Sequence, residues 1–511
     1  METSNKTIAK NTAFLYIRML LVMIVTFYTS RVILDVLGAE DYGIYNVVGG
    51  IVTIMAFLNG ALSASTSRFL TYELGKGNRD RLKKTFSASL TLHIGVALLV
   101  LFLGETIGLW FFYEKLVIPD ERMTAAFWVY QFSIVTTMMN FTQVPFNASL
   151  IAHENMPIYA FVGLYEACAK LAIVYLIKIS PIDNLVFYGL LLMINTCAIQ
   201  LFYRFYTTKK YEECHLILVK DRQLYKTLLG YSGWDMFGNI AVVCQGQGIN
   251  ILLNVFFGPV VNAARAIAVQ VQGGVRVFVQ NFLVAVRPQV VKSYAENKVD
   301  KMYSLTFNAA KFSYILMLAL LLPICFEIDF ILGVWLGENT PADTSIFVII
   351  ILVTYLVNTY HLSSLMSYHA IGKIKLGNIV GGSVMIASLP ISYIVLKMGA
   401  PAYSVFLVIF AVDFTQMFWG WYIVHRYEKF SYLLLIKKVY IPTIIITISG
   451  VLPPLLIKTN MEQGWCRLII LTITTEVVLL LSTYNIALNK EERHNLIIFI
   501  KRKINRNEKI N

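Results

Sequence analysis

Charge is what this sequence has least of. Asp, Glu, Lys and Arg make up 14% of its 511 residues, against 57% hydrophobic residues, and the mean hydropathy is +0.65. That balance excludes an ordinary water-soluble domain and reads as an integral membrane protein. Cysteine is scarce too. Cys168, Cys197, Cys214, Cys244, Cys325 and Cys466 are scattered with no CxxC pair, so no disulfide framework, metal site or cofactor is expected. No GxGxxG or Walker-type run is present, and Gly49, Gly50, Gly377 and Gly381 read as points of close helix packing rather than a phosphate loop. Large outer loops are missing as well. The longest, Glu327 to Thr344, is about eighteen residues, too short for a folded catalytic domain, so the chain reads as a non-enzyme. The opening "METSNKTIAKNTAFLYIR" has no small-residue cleavage site after its first apolar run, and reads as a lead into a first helix.

What is abundant is membrane-spanning length. Apolar stretches of roughly 20 residues recur about fourteen times, each enough to cross about 30 Å of hydrocarbon as a helix. Six lie between Ala13 and Phe205, six between Leu228 and His425, and two near Val439 to Ile457 and Trp465 to Ile486. The expected fold is therefore an all-α polytopic membrane protein. Its expected parts are an N-lobe at 1–206, a linker at 207–227, a C-lobe at 228–427, and two extra helices with a basic tail at 428–511. The formal charge of +13 does not call for nucleic acid. Roughly 30 of the Lys and Arg fall in one set of alternate loops and roughly 6 in the other, the asymmetry of the positive-inside rule, which places both termini in the cytoplasm.

The two six-span groups also match each other weakly at a shift of about 220 residues. Leu37-Gly38 falls on Phe257-Gly258 and Asp80 on Asp300. An even number of spans per group makes the repeats parallel, and such repeats enclose a substrate site between two lobes that rock to give alternating access.

One helix carries cations where lipid would be expected. In "RAIAVQVQGGVRVFVQNFLVAVR", Arg265, Arg276 and Arg287 recur every eleven residues. Eleven steps of about 100° make three turns plus about 20°, so the three share one face with Gln272 and span about 33 Å. An arginine at a helix centre costs about 2.5–3.5 kcal/mol against lipid, so Arg276 is expected to meet a wet cavity or an acidic partner such as Asp235 or Asp413. Arg18 and Arg31 lie in the first span, and Arg68 near the end of the second. Glu166 and Lys170, four apart, can pair along one helix face, and the alternative is a cation or proton site. Asp413 and Glu476 are mid-span carboxylates. Amides are dense in the seventh span (Asn239, Gln245, Gln247, Asn250, Asn254) and the fourth (Gln131, Asn140, Gln143, Asn147), suited either to a wall for sugar hydroxyls or to fastening helices together.

At "TSRVILDVLGAEDYGIYNVVGG" (Thr29 to Gly50) and "SASTSRFLTYELGKGN" (Ser63 to Asn78) the sequence resembles the Wzx-type polysaccharide and O-antigen flippases of the multidrug/oligosaccharidyl-lipid/polysaccharide (MOP) superfamily. The resemblance implies a MATE-like pair of six-helix lobes. It also implies transfer of a polyprenyl-diphosphate-linked glycan across the bacterial inner membrane for surface polysaccharide synthesis, with cavity cations engaging the diphosphate. No fixed motif carries those cations over, so the candidates for substrate binding are chosen by position and chemistry: Arg18, Arg31, Arg265, Arg276, Gln272 and Asn239. Glu166, Asp235 and Asp413 are the candidates for coupling to H+ or Na+. The other partners expected are membrane lipids. The alternatives are a cation-coupled multidrug exporter on the same fold, and a membrane-embedded glycan polymerase or ligase.

Overall fold

The computed structural model describes residues 2–53, 62–63, 66–67, 69–70, 72–74, 76–153, 155–231, 233–371, 374–489 and 492–494, with side chains over somewhat fewer. Among these residues there are helices and no strands. The main helices are α1 (Glu2–Thr53), α2 (Arg79–Leu103), α3 (Met123–Ala152), α4 (Met156–Ile177), α5 (Asn184–Lys210), α6 (Arg222–Tyr231), α7 (Gly233–Phe257) and α8 (Pro259–Ala295). They continue with α9 (Val299–Phe326), α10 (Ile328–Leu336), α11 (Thr344–Ile371), α12 (Ile374–Lys397), α13 (Ser404–Tyr427), α14 (Ile441–Asn460) and α15 (Trp465–Ser482).

Among the described residues, nine helices are long and apolar enough to cross a membrane, so the chain is a multi-pass membrane protein. The fourteen runs expected from the sequence do not reduce to that number one for one. The other five fall on α1, which holds two of them, and on α3, α4 and α8. On α8 the three arginines dilute the apolar run.

The two runs on α1 are separated by a break at Gly38, whose φ of 75° and ψ of 170° belong to glycine's territory. The shift read in the sequence reappears here in the backbone. Gly38 and Gly258 both have positive φ (75° and 79°), and so do Gly77 (69°) and Asn297 (57°), each pair 220 residues apart. Asparagine is among the few side-chain-bearing residues that tolerate this region. Helices α2 and α9 begin 220 residues apart, at Arg79 and Val299, and so do α5 and α13, at Asn184 and Ser404.

By packing, the chain forms two compact units: Met1–Ile267 with Trp335–Thr344 and Asn378–Val408, and Ala268–Val334 with Ser345–Gly377 and Ile409–Asn511. In unit 1, α1 packs on α3, α4, α5 and α7, and α3 packs on α2 and α5. Close approach is built in at Gly43, where a Cβ would lie 1.8 Å from the Pro259 carbonyl oxygen. One end of this unit is sealed by an aromatic and aliphatic cluster of Leu82, Phe86, Phe146, Leu150 and Tyr203, joined by Tyr211 and Cys214.

The last two belong to the stretch 207–227, expected from the sequence to be a linker. It is docked along unit 1. Glu213 meets His153 at 2.6 Å, the His153 ring stacks on Tyr211 at 4.0 Å, and the Ser87 hydroxyl bridges the His215 carbonyl (3.1 Å) and the Ile217 amide (3.0 Å). Burial pushes the Cys214 thiol up to about 12, leaving it unreactive at neutral pH.

In unit 2, α14 and α15 pack on each other and on α9. Arg467 of α15 is 8% exposed and Glu327, just beyond α9, is 0% exposed. They form a two-pronged pair, Nε to Oε1 at 2.6 Å and Nη2 to Oε2 at 2.7 Å. Lys311 of α9 donates to the Ala487 carbonyl at 2.5 Å.

Candidate functional site

Helices α1, α3, α4 and α5 of unit 1 surround a cavity of about 690 Å³, inside the range of roughly 300–1,000 Å³ typical of ligand pockets. The sequence places it there by spacing. On α1 the lining residues include Thr26, Thr29, Ser30 and Ile33; on α3 they include Ser133, Thr136, Thr137 and Asn140. Both sets fall at i, i+3, i+4 and i+7, one face of a helix. Gly163, Glu166, Ala167 and Lys170 repeat the spacing on α4, and Asn195, Thr196 and Gln200 complete the wall from α5. The face is therefore mixed, with hydroxyls and amides set among apolar residues such as Val25, Ile33, Val129, Phe132, Leu192 and Ile199.

Two of the hydroxyls turn their hydrogens away from the space. Thr29 donates to the Val25 carbonyl at 2.6 Å and Ser133 to the Val129 carbonyl at 2.8 Å, each within its own helix. Their oxygens are left as acceptors. Asn195 is 8% exposed, and its Oδ1 has no partner; nor does the buried Gln200 Oε1. The Gln200 amide nitrogen is taken by Asn140 Oδ1 at 2.9 Å. A buried acceptor without a partner costs about 1–3 kcal/mol, so these oxygens are available to a donor that enters the cavity. The cavity's charged residues neutralise each other: Lys170 Nζ lies 2.8 Å from Glu166 Oε1, the pair that their spacing predicted.

The end of the cavity near Gly38 is stopped by the rings of Tyr45 and Tyr188, 4.9 Å apart. About one turn beyond, Arg122 fastens two helices with one guanidinium. It donates to both oxygens of Asp41 (2.7 and 2.5 Å) and to both of Asp183 (2.6 and 3.2 Å). The two carboxylates respond differently. Burial outweighs Arg122 at Asp41 and raises its pKa. At Asp183 burial also opposes ionisation, but Arg122 and the Val186 and Leu185 amides, which it caps, prevail and lower it. At the opposite end Arg204 donates to the Thr142 hydroxyl and lies over the Phe146 ring at 5.5 Å.

The residues singled out in the sequence do not all come together. Arg18 lies on α1 and Asp235 on α7, but their side chains are outside the described residues, as is Arg68. Arg31 is exposed on α1, and Asn239 and Gln272 are half-buried on α7 and α8. Of the arginine face, Arg265 is half-buried in unit 1 and donates to the Gly246 carbonyl at 2.7 Å. Arg276 and Arg287 belong to unit 2 and are exposed. With its amide turned so that the oxygen faces the guanidinium, Gln280, one turn along α8, accepts from Arg276 Nη2 (2.9 Å) and Nε (2.7 Å).

Asp413 does not serve as the acidic partner weighed for Arg276. It is 8% exposed and accepts from Asn358 Nδ2 at 3.2 Å. Several amides of α7 proved to be fasteners: Asn250 donates to the Asn46 carbonyl (3.1 Å), and Asn254 exchanges bonds with both backbone groups of Val117 (3.2 and 2.9 Å). Missed by sequence reasoning were Arg122, Arg204 and the α1 and α3 hydroxyl faces. The four-residue polar spacing of those faces was the available signal. Among the described residues no cluster of His, Cys, Asp and Glu suits a metal ion.

No protein-family model matches the sequence, and no curated protein matches it. Solved structures do. The chain is similar to an inward-facing multidrug resistance MATE family transporter of the MOP superfamily, with a TM-score of 0.68 at 13% identity, covering 81% of this chain and 99% of that one. It is similar to the lipid II flippase MurJ in an inward closed conformation, with a TM-score of 0.65 at 14% identity over 91% and 98% of the two chains. A third is a MOP superfamily transporter from Pyrococcus furiosus described by the reverse polarity of its binding pocket, with a TM-score of 0.58 at 14% identity over 80% and 94%. At these identities the likeness is one of fold: the chain has the all-helical transporter fold that the MATE and MurJ members of the MOP superfamily share.

Proposed function

We propose that the protein is a flippase that moves a polyprenyl-diphosphate-linked oligosaccharide across the bacterial inner membrane by alternating access, for surface polysaccharides such as O-antigen. The observation that carries this reading is Arg276: an exposed guanidinium at the middle of α8, met among the described residues by the neutral Gln280 amide and the Tyr355 phenol. A cation met by neutral groups at the centre of a spanning helix is costly unless the cargo is an anion, and a guanidinium fork suits a diphosphate. Arg287, also exposed, extends the same preference along α8. A cationic drug fits this arrangement poorly. The charge pattern puts both termini on the cytoplasmic side.

Asp413, buried on α13 against Asn358, is the proposed coupling group for H+ or Na+. The test is reconstitution of the purified chain in liposomes carrying the lipid-linked oligosaccharide, with translocation read by loss of accessibility to an impermeant glycan-oxidising reagent. Translocation is expected, and its dependence on an imposed ion gradient should be lost in Asp413→Asn. Transport of a lipophilic cation with no movement of the glycan lipid would contradict the proposal.

A further inference from the structure

We infer that the cavity of unit 1 is a binding site for a neutral, hydroxyl-bearing saccharide, separate from the arginines that serve the diphosphate; the inference rests on the flippase reading and names the part of the cargo this site takes. Three observations lead there. The wall offers acceptor oxygens at Thr29 and Ser133, whose hydrogens are spent within their own helices. Two buried acceptors, Asn195 Oδ1 and Gln200 Oε1, have no partner, and Asn195, more than nine-tenths buried, lines the space. The charged residues lining the cavity are a closed pair, Glu166 and Lys170 at 2.8 Å.

Ligand chemistry follows by elimination. A phosphate or diphosphate brings net negative charge to a cavity whose lysine is already paired with a carboxylate, and at neutral pH it has few hydrogens to give to the Asn195 and Gln200 oxygens. A lipophilic cation has no free carboxylate to meet, and the Lys170 ammonium repels it. A bare metal ion leaves most of about 690 Å³ unfilled. A sugar supplies several hydroxyl donors with fixed directions, and an N-acetylated sugar adds an amide N–H. The paired rings of Tyr45 and Tyr188 at one end give an apolar face for the C–H side of a pyranose. The stripe of hydroxyls on each of two helices allows a saccharide to trade partners as the helices shift, with little penalty for any one register.

The experiment uses the full chain with its six native cysteines replaced and a single reporter, Thr136→Cys, on the cavity wall. The rate of thiol modification by a small maleimide is measured alone and with neutral disaccharides (plain and N-acetylated), inorganic pyrophosphate, or tetraphenylphosphonium. At least one disaccharide is expected to slow labelling severalfold, with the other two probes inert and the slowing lost in Asn195→Leu. If Asn195→Leu fails to accumulate, the probe panel on the Asn195 chain decides alone. No slowing by any disaccharide, or equal slowing by pyrophosphate or tetraphenylphosphonium, overturns the inference. Slowing that survives intact in a well-folded Asn195→Leu chain also overturns it. These failures are distinct from failure of the flippase reading, which shows as no translocation of the glycan lipid by the unmodified chain in liposomes.

Discussion

In unit 1 the buried polar atoms of α1, α3 and α5 border an open space of about 690 Å³, whereas in unit 2 the buried charges close on the protein itself. Glu327 takes two bonds from Arg467, Lys311 ends on the Ala487 carbonyl, and Asp413 holds Asn358. Yet the helices of the two halves follow one plan, with α2 and α9, and α5 and α13, starting 220 residues apart. The difference teaches how to read polarity in a membrane helix. A polar side chain satisfied by a neighbouring helix is a fastener, and one left unsatisfied beside a space is part of a wall. The distinction lies in the partners, which composition does not reveal.

The comparison breaks most visibly at the closed pair. Removing one member leaves the other charged and buried, which typically costs about 3–5 kcal/mol. Glu327→Ala should therefore lower thermal stability in detergent strongly, and Glu327→Leu combined with Arg467→Met should recover most of the loss. A single variant as stable as the parent would mean that unit 2 is not held by this pair.

A smaller effect separates the two arms of the Arg122 clamp in unit 1. Asp183 has a lowered pKa in the fold, so its contribution is present above the ordinary carboxylate value and is lost as pH falls through the depressed one. Asp41 has a raised pKa, so its ionisation opposes folding, and acid through its raised value relieves that cost. Asp183→Asn should flatten the loss of stability on acidification, measured as Tm against pH, and Asp41→Asn should leave that loss in place. The reverse pattern would show that Arg122 is held mainly by Asp41.

The smallest effect is expected at the pair in the cavity wall. Glu166 and Lys170 are each nearly half exposed (45% and 47%), and an ion pair so well solvated contributes about 0–1 kcal/mol. Glu166→Gln should shift Tm little, and a shift as large as that of Glu327→Ala would erase the distinction between wall and fastener.

Much of this architecture was legible in the sequence. The helices and the repeat shift follow from periodicity and apolar length, which are local properties. The Glu166–Lys170 pair was legible for the same reason, being four residues apart on one helix. Arg122 was not, because its partners lie 81 residues before it and 61 after it. Arg467 and Glu327 are 140 apart. Such pairings depend on which helices become neighbours, a question that spacing along one helix leaves open. The amides of α7 show the same limit. Asn250 and Asn254 have the composition of a cavity wall, but their buried carboxamides are used up on Asn46 and Val117. The hydroxyl faces of α1 and α3 were readable by their i, i+3, i+4, i+7 spacing, and carried the cavity.

The central claim is that an anionic lipid-linked glycan is the cargo and that Arg276 grips its diphosphate. It is tested most directly by the initial rate of glycan-lipid translocation in liposomes for the parent, Arg276→Lys and Arg276→Ala, each matched for amount inserted. A charge-assisted bond of about 1.5–3 kcal/mol corresponds to a loss on the order of tenfold or more in Arg276→Ala. Arg276→Lys should fall between, since a point charge replaces the two-pronged fork. A parental rate in Arg276→Ala, at normal insertion, would contradict the claim.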